Sequence, residues 1–441
     1  MLTVGTAFPE NHMKKLLLSF LLFAIAASTA IAQSISAEAA EQVFQAAQRV
    51  NTRDGGKLWG MRVCGPIFLA DPQTRDLVAN QPDAEGLLKK SGSVWAGKLP
   101  ESITPANSAT DFGGVHWTML AWPVTGDPLD RDRLAAHECF HRIQRALKLE
   151  PQDAVAGHLD DKVGRIWLQL EWRALERALA TTGEERRSAI ADAIHFRNYR
   201  RAVLKSAAAT ENALEMNEGL AEYTGYRLAN PNEADRRAAA IYNLHAGAQK
   251  QSFGRSFAYV SGPAYGILLD ASGAEWRKKL TPATDWAVLL AAAYKLALMG
   301  SNSIPPMQAA NDYQGETLIA AETQRAVRLD VKRAEVRDKF VNGPVLVLPI
   351  DDEFGYGFNP NDTLSLDENS TLYGWARITG SWGVLESNNG VLMTRRDGKI
   401  VRVVVPAAKT TESPTSDDWK LTLKPGWKIV VDGKNQTLEK E

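Results

Sequence analysis

The chain predicts an α+β fold, and three observations carry that prediction. The first third mixes one amphipathic helical run with short apolar strands. The middle holds long runs with apolar residues at helical spacing. From Val345 onward, short β-type runs alternate with Gly, Asn, Asp and Pro turns. The chain therefore divides into a mixed α/β part at 33–129, a mostly helical part at 130–344 and a small C-terminal β-sandwich at 345–441.

Ahead of position 33 stands a targeting signal. Met1 to His12 is a polar preamble. Met13-Lys14-Lys15, the apolar run Leu16 to Ala27 and an Ala-x-Ala ending at Ala32 make a secretory signal peptide, with translation starting at Met13. The expected location is periplasmic or secreted, and the apolar run is too short for a comfortable membrane span. After signal removal, no stable membrane insertion is expected. A formal net charge of −1 over 441 residues provides no global field for nucleic acid, and no basic block with interleaved aromatics is present.

Ala37 to Val50 reads as a helix with Ser36 as its N-cap. Trp59 to Ala70, Arg75 to Asn80 and Ser93 to Leu99 read as strands. Gly113-Gly114 leads into Val115 to Val124, a further strand. Taken as an edge strand, it could bind an extended peptide by strand addition; taken as a core strand, it could not. Trp117 and Trp122 on it either line a cleft or fill the core.

Arg131 to Leu149 is the next helix, capped by Asp130 or a neighbour and ended by Pro151. Two helical stretches, Asp160 to Ala180 and Glu184 to Ala209, follow as an antiparallel hairpin whose Arg/Glu-rich surface reads as a solvated face. Glu211 to Ala229 is helical. Phe253 to Asp270 starts as a loop and becomes helical after Gly262. Pro282 to Met299 and Gly315 to Val341 complete the helical part.

Chemistry concentrates in His137-Glu138-Cys139-Phe140-His141, an H-E-x-x-H motif on a predicted helix. Residues four apart share a helix face, so the two imidazoles can bind one zinc ion, and Glu138 can act as base toward a zinc-activated water. A catalytic zinc takes a third protein ligand. Glu218, in Met216-Asn217-Glu218-Gly219-Leu220-Ala221-Glu222-Tyr223, is the best candidate. Glu222 lies one turn further on, where it could accept the other N–H of a ligating imidazole. His195 and His245 are lone helical histidines without partners of this kind. Cys64 could pair with Cys139 in an exported protein, but Cys139 reads as a small buried apolar residue.

Asn217-Glu218-Gly219-Leu220-Ala221-Glu222-Tyr223 resembles the N-E-G-F-A-x-Y segment of gluzincin metallopeptidases of the aminopeptidase-N type. Tyr259-Val260-Ser261-Gly262 is similar to the Y-x-K-G stretch of the same enzymes and of the glycyl-aminopeptidase-like group. Gly113 to Trp117 has the layout of their G-A-M-E-N strand. The resemblance covers Gly113 to Asp270. It implies a thermolysin-like peptidase domain, one Zn²⁺ held by His137, His141 and Glu218, and an oxyanion-stabilising tyrosine at Tyr259, with Tyr265 as the fallback. The substrate would be a peptide or protein.

Departures narrow the expectation. His116 or a neighbour stands where the family has the glutamate that binds a free amino terminus. Ser261 replaces the family's lysine, and the gap from His141 to Glu218 is much longer than in the short-gap form because of a helical insert at 160–209. The sequence thus predicts an exported zinc metallopeptidase. A catalytically idle binding or scaffold protein and a zinc hydrolase of a non-peptide carbonyl are the alternatives.

Overall fold

The computed structural model describes residues 35–440 except 101, 153, 206, 298–305, 360–361, 368, 397–398 and 411–414. The signal-peptide reading at Met13 to Ala32 lies outside the described residues. Among the described residues no helix is long and apolar enough to cross a membrane. The architecture is mixed α and β with a β-rich C-terminal region, as expected.

Helix α1 (Ala37–Asp54) is capped by Ser36, whose Oγ accepts from Ala39 N at 3.1 Å. Among the described residues six strands follow: β1 (Ile67–Ala70), β2 (Asp76–Ala79), β3 (Lys89–Ser91), β4 (Val94–Lys98), β5 (Ser108–Phe112) and β6 (Val115–Ala121). They form one sheet in the order β3-β4-β2-β1-β6-β5, with β6 parallel to β1. Side chains alternate across it. Leu69, Val78 and Leu120 join the main helical core. Phe68, Leu77, Trp117 and Met119 form a separate cluster on the opposite face.

This topology corrects the edge-strand reading. Strand β6 lies between β1 and β5, and β5 is the edge. Ser108–Phe112 has too little apolar content to register as a strand from the sequence, and it forms because β6 offers it a ladder.

Helix α2 (Pro128–Gln144) carries the H-E-x-x-H motif. Its N-cap is Asp127, not Asp130: Asp127 Oδ1 accepts from Asp130 N at 2.8 Å, and Pro128 occupies the first turn. The hairpin consists of α3 (Lys162–Ala180) and α4 (Gly183–Val203). Next come α5 (Ala207–Leu214), a π turn (Glu215–Gly219), α6 (Leu220–Ala229), α7 (Glu233–Ala248), α8 (Phe257–Ala271), α9 (Trp286–Ala293), α10 (Met307–Asn311) and α11 (Gly315–Arg337). Helix α9 is shorter than the predicted Pro282 to Met299, part of which falls outside the described residues.

The hairpin is not a solvated face. Arg197 and Arg200 on α4 are fully buried. Arg197 Nη1 donates to Glu215 Oε1 at 2.8 Å, and Arg200 Nη2 to Glu211 Oε2 at 2.9 Å. Glu171 on α3 accepts from both arginines and from Tyr265 Oη. Buried charge is tolerated because each member is paired. The predicted insert therefore belongs to the core and braces α5, the π turn and α8.

Among the described residues, eleven strands follow α11: β7 (Val345–Leu348), β8 (Gly355–Phe358), β9 (Thr363–Ser365), β10 (Ser370–Tyr373), β11 (Ala376–Gly380), β12 (Gly383–Ser387), β13 (Val391–Arg396), β14 (Lys399–Pro406), β15 (Trp419–Leu423), β16 (Trp427–Asp432) and β17 (Asn435–Lys440). They form two sheets, β16-β17-β7-β14-β13-β10-β9 and β15-β12-β11-β8. Leu346, Met393 and Val403 from the first meet Ile378, Leu385 and Leu421 from the second in one buried cluster.

Candidate metal centre

Helix α2 turns His137, Glu138 and His141 toward a cleft of about 480 Å³. Its opposite face is anchored. Ala136, Cys139, Phe140 and Ile143 are buried in the main core. Asp132 is buried and paired with Arg49 at 2.6 Å and Arg53 at 2.8 Å. Cys139 is bonded to Cys64 in a disulfide, which corrects its reading as a simple apolar filler. The segment before β1 is thereby tied covalently to the motif itself.

Glu218 arrives on the π turn between α5 and α6. Leu220 N–H bonds Glu215 O, five residues back. Such a turn adds one residue to a helix and is often found at functional sites. Here it lets Glu215 face the buried arginines while Glu218 and Glu222 both face α2.

Three atoms converge. His137 Nε2 lies 3.2 Å from His141 Nε2, and Glu218 Oε2 lies 3.4 Å from the first and 3.3 Å from the second. The outer nitrogens are held in place. Glu222 Oε2 is 2.7 Å from His137 Nδ1, and Gln144 Oε1 is 3.0 Å from His141 Nδ1. Both partners are acceptors, so each Nδ1 carries a proton and Nε2 is the nitrogen left to face a metal. Two imidazole nitrogens and a carboxylate oxygen thus meet at one point, an arrangement that could hold a cation. His137, Glu138 and His141 also form a cluster able to hold a metal ion, with ligand atoms within 4.8 Å. Glu138 Oε1 stands further off, 4.0 Å from His137 Nε2, so Glu218 is the better third ligand.

Burial and the charges of Glu218 and Glu222 push the Glu138 carboxyl above the usual range, against the pull of His137 and His141. Its Oε2 is buried and makes no hydrogen bond. Burial would also raise Glu218, but hydrogen bonds and charge from His137 and His141 hold it well below the ordinary value.

Tyr259 stacks on His137, with ring centres 5.5 Å apart and planes 6° from parallel. Burial, the charge of Glu218 and a hydrogen bond to it raise the Tyr259 phenol, which stays protonated. The residue lies on α8, not in a loop. Pro263 within α8 has no N–H to give the Tyr259 carbonyl four residues back. Asn243 Nδ2 on α7 supplies that bond at 2.8 Å. A side chain from another helix thus permits the helix that sequence breakers argued against.

The predicted residues His137, Glu138, His141, Glu218, Glu222 and Tyr259 all line this one cleft. Other candidates fall elsewhere. Tyr265, the fallback for Tyr259, is buried and donates to Glu171 at 2.8 Å. His116 bonds Asp111 on β5 and does not line the cleft. Trp117 is core, its Nε1 donating to Phe112 O at 2.8 Å. His245 is exposed and paired with Glu176, and His195 does not line the cleft. Sequence reasoning missed Gln144 and Asn243. Gln144 was within reach of inspection, because it lies one turn after His141 on the same helix.

Comparison of the chain with protein-family models, curated proteins and solved structures finds no match.

Proposed function

We propose that the protein is an exported zinc metallopeptidase with a thermolysin-like, gluzincin-type catalytic domain. The observation that carries this reading is the triangle of His137 Nε2, His141 Nε2 and Glu218 Oε2, with edges of 3.2, 3.4 and 3.3 Å. Tetrahedral zinc with arms of 2.0–2.1 Å separates its ligands by about 3.3–3.4 Å. The three distances fit these atoms holding one such ion, and all three residues line the cleft. When bound, zinc would acidify a water to a pKa of about 7 and polarise a carbonyl.

Glu138 takes the proton of the attacking water on its unpartnered Oε2 and delivers it to the leaving amine. Tyr259 turns its hydroxyl from Glu218 to the oxygen on which negative charge develops, a donor role whose loss elsewhere costs about 10²–10³ in kcat. Glu222 and Gln144 keep both imidazoles in the tautomer that presents Nε2. An extended peptide has a free ladder to join at β5, which pairs only with β6 among the described residues. The Cys64–Cys139 disulfide is consistent with an oxidising, exported setting.

Incubating the mature, zinc-loaded protein with a peptide library tests the reading. Cleavage by the wild type, lost in Glu138→Gln while zinc is retained, is the expected result. A zinc-loaded wild type that cleaves no peptide would overturn it and leave the scaffold or non-peptide alternatives.

A further inference from the structure

Among the described residues, Arg133 is the only lysine or arginine lining the cleft, where Asp130, Glu138, Glu218 and Glu222 supply four carboxylates. It lies one helical turn before His137 on α2 and faces the same way. Its guanidinium is held from several sides. Nη2 is 3.1 Å from Asp130, Nη1 donates to Tyr226 Oη at 3.3 Å, and Nε is 3.9 Å from Glu222. The Tyr226 ring lies 5.1 Å beneath Cζ. Helix α6 comes close enough to do this because residue 225 is glycine. A Cβ there would meet Arg133 Cγ and its carbonyl oxygen, each at 2.9 Å.

Each terminal nitrogen of Arg133 carries two N–H groups and uses one in these contacts, so one on each remains. The side chain is 37% exposed and lines the cleft. A planar fork with two spare donors is matched by a carboxylate. One helical turn spans about 5–6 Å, the reach of about two residues of an extended substrate.

Resting on the peptidase reading, we propose that Arg133 is the specificity-determining residue of this site and that it receives a substrate carboxylate within about two residues of the scissile bond. That carboxylate is either an Asp or Glu side chain or the C-terminal carboxylate of the peptide. Both present the same planar anion to the same two donors.

The test compares kcat/KM for matched peptides on the zinc-loaded protein: Glu against Gln at each position flanking the scissile bond, and free acid against amide at the C-terminus. The expected preference for one carboxylate form is about 10- to 100-fold. It should fall to near unity in Arg133→Gln and survive in part in Arg133→Lys. The arm in which the preference appears identifies the source of the carboxylate. A purely structural role would lower both members of a pair equally and leave their ratio intact. An unchanged ratio in Arg133→Gln, or no carboxylate preference in the wild type, overturns the proposal. If the wild type cleaves nothing, the peptidase reading fails. The affinities of the same peptide pairs for zinc-loaded Glu138→Gln, measured by calorimetry, then decide the Arg133 claim separately, by the same ratio.

Discussion

Gly219 and Gly262 meet backbone to backbone: a Cβ on Gly262 would stand 2.3 Å from the Gly219 carbonyl oxygen and 2.6 Å from its Cα. The first glycine ends the π turn that carries Glu218, and the second lies one turn after Tyr259. Their contact sets the distance between the proposed third metal ligand and the proposed oxyanion donor. Gly262→Ala must separate the two helices, because the obstacle is backbone. Overpacking of this kind costs about 1–3 kcal/mol. The variant should unfold at a lower denaturant midpoint and bind metal more weakly, measured by chemical unfolding and metal titration. Unchanged behaviour in both would show that the helices yield without consequence.

Asn243 carries a second structural prediction. Asn243→Ala leaves the Tyr259 carbonyl without its partner at a position where Pro263 has removed the helical donor. An unpaired buried acceptor costs about 1–3 kcal/mol. Its stability loss should vanish when Pro263 is also replaced by Ala, because the restored N–H can bond the carbonyl. A double-mutant cycle by urea unfolding measures this coupling, and strictly additive losses would contradict it.

Glu222 should govern metal affinity without touching the metal. Its carboxylate, 2.7 Å from His137 Nδ1, fixes which nitrogen holds the proton. Glu222→Ala should weaken zinc binding by about 10- to 100-fold, the usual effect of losing such a partner. Competition against a chromophoric chelator reads this directly, and wild-type affinity in the variant would contradict the assignment.

Acid sensitivity follows from Glu211. Burial alone would raise its carboxyl, but the charge of Arg200, a bond from His158 and the charge of Arg201 hold it well below the ordinary value. Because the folded value is depressed, the stabilisation is fully present above the unfolded value of about 4.3. It is lost as pH falls through the folded value. Glu211→Gln should cost about 3–5 kcal/mol at pH 7, since it leaves Arg200 short of a buried partner. It should also flatten the acid limb of the stability profile. Urea midpoints from pH 7 down to pH 3 test both, and parallel acid limbs for variant and wild type would contradict the Glu211 account.

What the sequence revealed follows the range of the interactions. His137 with His141, and Glu218 with Glu222, are local pairs at helical spacing, so their shared faces could be read directly. Their convergence on one point was suggested by a resemblance and appears in the fold as three mutual distances of 3.2–3.4 Å. Long-range partners were not legible. The inward turn of Arg197 and Arg200 depends on Glu171, Glu211 and Glu215 from other elements. Strand β5 depends on β6 for its ladder, since Ser108–Phe112 has little strand character alone. The helix at Tyr259 depends on Asn243. The pairing of Cys64 with Cys139 depends on α2 passing beside the segment that precedes β1.

The central claim is a metal centre built by His137, His141 and Glu218. Elemental analysis of the purified mature protein, wild type beside Glu218→Ala, tests it most directly. About one zinc per chain in the wild type and a clear loss in the variant is the predicted result. Metal-free wild type that zinc cannot load, or Glu218→Ala that keeps its zinc, would contradict the account.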